Sequence, residues 1–340
     1  MPNPNNKKPV AVIILNWNGV KLLRRFLPSV LQFTNPEIAD VIVADNGSSD
    51  DSLSVLRREF PQAIVLPLDK NYGFAEGYNR AISATRYEYT VLLNSDVEVT
   101  PHWIEPMLDY CSSHRTVAAC QPKILSVDHK SQFEYAGAAG GFIDRLGYPY
   151  CRGRIFSTVE LDHGQYDTDM GIFWASGAAL FVRTDAYLRA GGLDSLFFAH
   201  MEEIDLCWRI HLLGFDIRYI HSSVVYHLGG GSLPAGNPRK TYLNFRNNLL
   251  LLHKNLPRRD RRRTLFIRRL FDSLAFFMFL AKLDFPNARA VLRAHADFRK
   301  MRRNYSPDSP NPITRNLLRE HPGARCNIVL DYYLRHRRTF

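Results

Sequence analysis

Two acidic clusters carry the chemistry that this chain can perform. Asn94-Ser95-Asp96 closes the apolar run Thr90-Val91-Leu92-Leu93 and projects a carboxylate beyond it. About a hundred residues later, Glu202-Glu203-Ile204-Asp205 places three carboxylates within one turn of chain, soon after Leu196-Phe197-Phe198. A carboxylate beyond a strand suits a hard divalent cation, Mg²⁺ or Mn²⁺, that neutralises a diphosphate. A carboxylate at a helix start suits general base work. Together they imply transfer of a group from an activated phosphate donor. The plainer alternatives are a turn carboxylate at Asp96 and a self-satisfying helix end at residues 202–205. In the second case Asp205 and Arg209, spaced i,i+4, form an ordinary ion pair.

Such groups need a frame. Residues 10–15 and 40–45 are continuous apolar runs, as for strands buried on both faces, and 63–66 and 90–93 complete a set of four. Helical patterns separate them, one around Leu22, Leu23, Phe26 and Leu27, one over 52–60 and one leading to Ala84. The order is βαβαβαβ, which predicts an α/β fold with a doubly wound, mostly parallel sheet flanked by helices. Ligands of such sheets bind beyond the carboxyl ends of the strands. Asn16 and Asn18, Asp45, Asn71 and Asn79, and Asn94 and Asp96 all fall there. Residues 126–169 read as loops and hairpins, 173–183 as a turn and strand, and 202–213 as a helix with an apolar stripe. Residues 217–220 and 223–227 read as two short strands. Gly229-Gly230-Gly231 reads as a mobile break.

Hydrophobic content of 46% and charge content of 23% support an ordinary globular core. Five cysteines without CxxC spacing argue against a zinc site or disulfide framework and fit a reducing compartment. No signal peptide is read at the polar start. The net charge of +11 is unevenly placed. Residues 239–340 hold 24 Lys and Arg against 7 Asp and Glu, while the rest holds 20 against 26. The basic third therefore expects an anionic surface. Residues 242–253 and 265–283 read as helices. The second is too interrupted to span a bilayer and, flanked by Arg258-Arg259 and Arg261-Arg262-Arg263, fits an interfacial anchor. A nucleic-acid-binding module is the competing reading, but its aromatics cluster in one helix instead of interleaving with the basic residues, so no nucleic acid is expected. The loop at 306–312 leads to a loosely held tail.

The ordered set Asn16-Trp17-Asn18, Asp45-Asn46-Gly47-Ser48-Ser49-Asp50, residues 71–79, Leu92-Leu93-Asn94-Ser95-Asp96, and Gly192-Leu193-Asp194 through Glu202–Arg209 resembles glycosyltransferase family 2, in its bacterial rhamnosyltransferase-like branch. The resemblance covers about residues 9 to 255. It implies a GT-A fold, a nucleoside-diphosphate sugar donor, a divalent metal and inversion at the anomeric carbon. It also implies cell-surface polysaccharide synthesis on a glycan or lipid-linked acceptor, at the inner face of the cell membrane. The donor is read as dTDP-rhamnose or a UDP-hexose. Asn94 stands where many members carry the first aspartate of Asp-x-Asp, which leaves Asp96 as the carboxylate ligand and Glu98 as a helper or a bystander. Glu202-Glu203 stands where Glu-Asp is common, so Glu203 is the base by alignment, with Glu202 the alternative. His227 matches a histidine that some relatives use as a further metal ligand.

The site expectations are then definite. Asn16, Asn18, Asp45, Asn71, Gly73, Asn79, Asn94 and Asp96 bind the donor, with Asp45 accepting from the nucleoside. Asp96 and His227 hold the metal. Trp174, Ser176, Gly177 and Asp205 line the acceptor side. The helix dipole at residue 202 is expected to lower the pKa of the base. The domain plan is a disordered 1–9, a catalytic domain over 10–240 with halves meeting near residue 125, and a basic helical extension over 241–340, with a homo-oligomer possible. A nucleotidyltransferase is the other enzymatic reading, weakened because no glycine-rich phosphate loop follows the first strand.

Overall fold

The computed structural model describes residues 8–229, 236–305 and 317–340. Part of the glycine break, the loop at 306–312 and most of the N-terminal segment lie outside them. The chain begins with β1 (Val10–Asn16), α1 (Val20–Phe33), β2 (Ala39–Asp45), α2 (Ser52–Glu59), β3 (Ile64–Pro67), α3 (Gly73–Ser83) and β4 (Tyr89–Leu93). Strands β3, β2, β1 and β4 lie side by side and parallel, as the alternating pattern predicts. Along β1 the side chains alternate between two cores: Val10, Val12 and Ile14 pack on one face of the sheet, Ala11 and Ile13 on the other. Leu23, Phe26, Leu27 and Val30 of α1, at helical spacing, cover the first face.

The second half departs from a simple alternation. It runs through β5 (Val97–Val99), α4 (Glu105–Ser113) and β6 (Val117–Ser126). A small antiparallel sheet follows, of β7 (Gly141–Ile143), β8 (Pro149–Cys151), β9 (Arg154–Ile155) and β10 (Thr158–Val159). Strands β11 (Met170–Ile172) and β12 (Ala179–Arg183), helices α5 (Thr184–Arg189) and α6 (Glu202–Leu212), and β13 (Asp216–His227) complete the core. β12 runs antiparallel between β4 and β6, so the central sheet is mixed on this side. The two short strands expected at 217–227 are one strand, β13, with an irregularity between Ile220 and Val224 where its register against β6 shifts.

Three long helices follow: α7 (Pro238–Asn255), α8 (Arg258–Ala281) and α9 (Phe285–Met301), then α10 (Leu317–Glu320) and α11 (Ile328–Tyr333). Helix α8 is turned inside out. Its polar Arg261, Thr264, Arg268 and Asp272 face inward, while Phe266, Leu270, Leu274 and Phe277 are each more than half exposed. Arg268 lies against the Tyr148 ring and donates to Leu146 O and to Asn248, and Asp272 receives His295 Nε2 at 3.0 Å. No helix among the described residues is long and apolar enough to cross a membrane.

Candidate active site

Sheet topology brings the polar ends together. β4 ends at Leu93, and antiparallel β12 starts beside it, with Ala179 opposite Leu93 and Asn94 N donating to Ala178 O at 3.0 Å. The turn 175–178 therefore meets the carboxyl end of β4. At the outer edge, β5 pairs with β13 so that Val97 lies opposite His227, and Leu228 N donates to Asp96 O. This pairing sets His227 Nε2 3.1 Å from Asp96 Oδ1 across 131 residues of sequence.

On the donor side, Asn16 and Asp45 are fully buried at adjacent strand ends, and Asn16 Nδ2 donates to Asp45 Oδ1 at 2.9 Å. Asp45 Oδ2 receives Ser48 N. A side chain at Gly19 would overlap Asn16 Oδ1, an oxygen with no protein partner, so glycine keeps that acceptor open. Asn18, in the left-handed region, accepts from Ser49 N and so ties the loop after β1 to the loop after β2. Asn71 bridges Asn46 and Gly73 N, and Gly73 itself borders open space. Trp17 stands 56% exposed on this rim. Its exposure next to the buried Asn16 is a signal the sequence carried inside Asn16-Trp17-Asn18.

The Asp96–His227 pair has a third member that sequence reading missed. Glu134, placed beside β6 by Glu134 N donating to Ile124 O, sits 3.2 Å from His227 Nδ1. Burial lowers the pKa of His227, but the carboxylates on both sides outweigh it and push it up to about 10. Burial raises that of Asp96, and His227 more than offsets this and leaves it lowered. Among the described residues, no three His, Cys, Asp or Glu side chains are grouped to hold a metal by themselves. The donor set still fits a hard cation that is completed by phosphate oxygens and water. Asp96 Oδ1 and His227 Nε2 converge, and Nε2 would give up its proton to bind a cation, with Glu134 beside the other ring nitrogen. Glu98 is paired with Lys130 instead.

Glu202 and Glu203 open α6. Each has a buried Oε2 without a partner. The expected downward shift by the helix dipole is not what results. Desolvation dominates, and for Glu203 it outweighs the backbone N–H groups, raising its pKa to about 7. Glu202 is raised further by burial and by its neighbour's charge. A Cβ at Gly177 would lie 3.7 Å from Glu203 Cβ and 3.8 Å from the Phe74 ring, so the turn 175–178 stands directly beside Glu203.

The loop before α6 is backbone of unusual shape: Phe198, His200 and Met201 all have φ between 68° and 75°. Such residues each cost about 1–3 kcal/mol and persist only where surroundings enforce them. Asn247 of α7 does so, its amide donating to the carbonyls of Phe197, Ala199 and His200 at 2.7–2.9 Å, and Arg246 adds a bond to Phe197 O. The only trace in sequence was Arg246-Asn247-Asn248, a polar break in an apolar helix.

Four expected ligand contacts are spent internally. Asp205 is fully buried, and its oxygens are taken by Arg209, Lys254 and Asn255, which ties α6 to α7. The i,i+4 ion pair is thus its role. Asn79 accepts from Tyr187 Oη and Leu193 N and donates to Leu193 O, which pins the turn 192–194. Trp174 is buried and donates to Phe142 O. Ser176 binds Ala136 O and Gln121 Oε1 and holds the turn's shape. Apart from Arg209, these partners lie 32 or more residues away in sequence.

Residues 11–165 match the family described as Glycosyl transferase family 2. An N-acetylglucosaminyl-diphospho-decaprenol L-rhamnosyltransferase of Mycobacterium tuberculosis is 26% identical over 232 residues, 64% of this chain and 75% of that protein. Among solved structures, GalNAc-T7 with UDP, GalNAc and Mn²⁺ superposes with a TM-score of 0.61 at 15% identity, over 94% of this chain and 59% of that one. S. aureus TarS 1–349 gives 0.55 at 15% identity, over 90% of each chain.

Proposed function

We propose that this chain, which belongs to glycosyltransferase family 2 and has the GT-A fold, transfers a sugar with inversion from a nucleoside-diphosphate sugar to a hydroxyl of a glycan or lipid-linked acceptor. The observation that carries this reading is Glu203, half-buried beside Gly177, with a buried Oε2 that has no partner and its pKa raised by desolvation to about 7. A base works best when its pKa lies near the working pH. Glu203 takes the proton of the acceptor hydroxyl as the oxygen attacks the anomeric carbon, and the nucleoside diphosphate leaves from the opposite face. Asn16 and Asp45, on adjacent strand ends, receive the nucleoside, and Trp17 offers its face to the base. Asp96 and His227, with Glu134 behind, would hold a Mn²⁺ or Mg²⁺, which would supply charge neutralisation for the leaving diphosphate. GalNAc-T7 was crystallised with UDP and Mn²⁺, which supports that assignment by fold.

The acceptor reading draws on the Mycobacterium relative, whose name specifies a diphospho-decaprenol-linked acceptor and L-rhamnose as the sugar moved. It also draws on α8, whose exposed Phe266, Leu270, Leu274 and Phe277 stand beside Arg262, Arg263 and Arg269. Apolar and basic side chains together suit an anionic membrane surface. Donor binding and hydrolysis across UDP-, dTDP- and GDP-sugars, with Mn²⁺, Mg²⁺ or EDTA, tests the reading. Metal-dependent selectivity for one donor is expected, with dTDP-rhamnose or a UDP-hexose as the donor. A folded protein that binds none of them, even with membrane extract added, overturns it.

A further inference from the structure

A cleft of about 680 Å³ opens between the first turns of α7 and α9, away from the strand ends that receive the donor. Four guanidinium groups line it, from Arg239, Arg246, Arg289 and Arg293, with Tyr242 and Phe198 among the walls and no carboxylate among the lining residues. Of the acids near it, Asp297 is engaged by Tyr242 Oη at 2.8 Å and by Arg293 at 3.6 Å, and Asp284 caps the start of α9 by accepting from Asn287 N. Arg246 is buried, and its described hydrogen bonds go to Phe197 O, Leu196 O, Asn247 Oδ1 and Tyr242 Oη, all neutral acceptors. Two engaged carboxylates beside four cations leave an excess of positive charge that an incoming anion would relieve. The two helices run in parallel, with Asn287 Nδ2 donating to Gly236 O and Tyr242 Oη reaching Asp297, so the arginines of both border one cleft. Four arginines suit a phosphate-rich group, since guanidinium binds phosphate oxygens in pairs.

Two connections say what the anion belongs to. Phe198 is four residues before Glu202, in the loop that Asn247 and Arg246 hold in place, so the cleft borders the segment that leads into the base. Pro286 lines the cleft, while its neighbours Phe285 and Leu283 are 61% and 74% exposed at the turn between α8 and α9. We propose that this cleft binds the diphosphate of a lipid-linked acceptor, with its hydrocarbon leaving past Leu283 and Phe285 and its sugar directed toward Glu203. The inference rests on the transferase reading with a lipid-linked acceptor and adds where and how that acceptor is held.

Farnesyl diphosphate, farnesol and inorganic pyrophosphate serve as probes with the full chain, and donor hydrolysis is followed in parallel. The Arg289→Ala/Arg293→Ala variant changes exposed side chains and is compared with Arg299→Ala/Lys300→Ala, equal in charge but at the other end of α9 outside the cleft. Farnesyl diphosphate should bind wild type more tightly than either other probe. The cleft variant should weaken it at least ~10-fold, as expected for loss of charged hydrogen bonds, with donor hydrolysis unchanged and the control variant like wild type. Equal weakening by both variants would reduce the effect to general charge and overturn the proposal. Unchanged binding in the cleft variant would overturn it as well. Pyrophosphate binding as tightly as farnesyl diphosphate would overturn the lipid assignment. Failure of wild type to bind or hydrolyse any nucleotide sugar would fell the transferase reading itself, which separates the two failures.

Discussion

Two kinds of carboxylate share the first turn of α6. Asp205 is fully buried and completely satisfied by Arg209, Lys254 and Asn255, so its pKa is lowered despite burial. Glu202 and Glu203, three and two residues earlier, each have an Oε2 removed from water but no cation beside them, and both are raised. Burial is common to both, and pairing is the difference. A paired buried charge belongs to the architecture. An unpaired one stores unfavourable free energy that folding alone does not explain, and such groups concentrate where chemistry occurs.

The largest expected separation is between activity and stability. Glu203→Gln should cut transfer by roughly 10²–10⁴-fold with donor binding retained. Asp205→Asn should leave Arg209 without its carboxylate and Lys254 with Asp194 alone, and cost about 3–5 kcal/mol of stability in denaturant melts. A Glu203→Gln variant with full turnover would erase the contrast. Next in size is Asp96→Asn, expected to remove metal-stimulated donor hydrolysis by roughly 10²-fold or more while the fold persists; calorimetric Mn²⁺ titration with and without UDP checks it. Asn247→Ala should lower kcat about 10-fold or more with little change in donor KM, because it releases the loop that aims Glu203 and touches no ligand. The last effect concerns pH. The folded pKa of Glu203 is raised, so its contribution to stability is full below the ordinary value of 4.5 and lost as pH rises to about 7. Glu203→Gln should therefore match wild type near pH 4 and exceed it by on the order of 2 kcal/mol at pH 8. In the same window, wild-type transfer should rise toward pH 7 and level off above it. Equal melting of the two proteins at both pH values would show that Glu203 is solvated or paired after all.

Helix α8 offers the same contrast in another form. Its Arg268 and Asp272 are buried and partnered, whereas its apolar Leu274 and Phe277 are exposed. Phe277→Asp should preserve the melting temperature and weaken binding to vesicles containing anionic lipid.

The chain itself determined the parallel half of the sheet. Runs such as 10–15 and 40–45 are apolar without interruption, and only a strand covered on both faces uses that pattern so briefly. It also determined which asparagines and carboxylates stand at strand ends, because those residues break the runs. β6 and α9 were not read, and α7 was read without its two ends; in β6 the buried polar Gln121 and Lys123 interrupt the apolar signal. Tertiary structure decided the rest. Pairing of β5 with β13 joins Asp96 to His227, and the chain beside β6 adds Glu134, through contacts that no local pattern encodes. Antiparallel β12 carries Gly177 to the end of β4. The protonation of Glu203 follows from what surrounds it in space. A helix start would lower its pKa, but desolvation with no neighbouring cation raises it, and only the packed fold sets that balance.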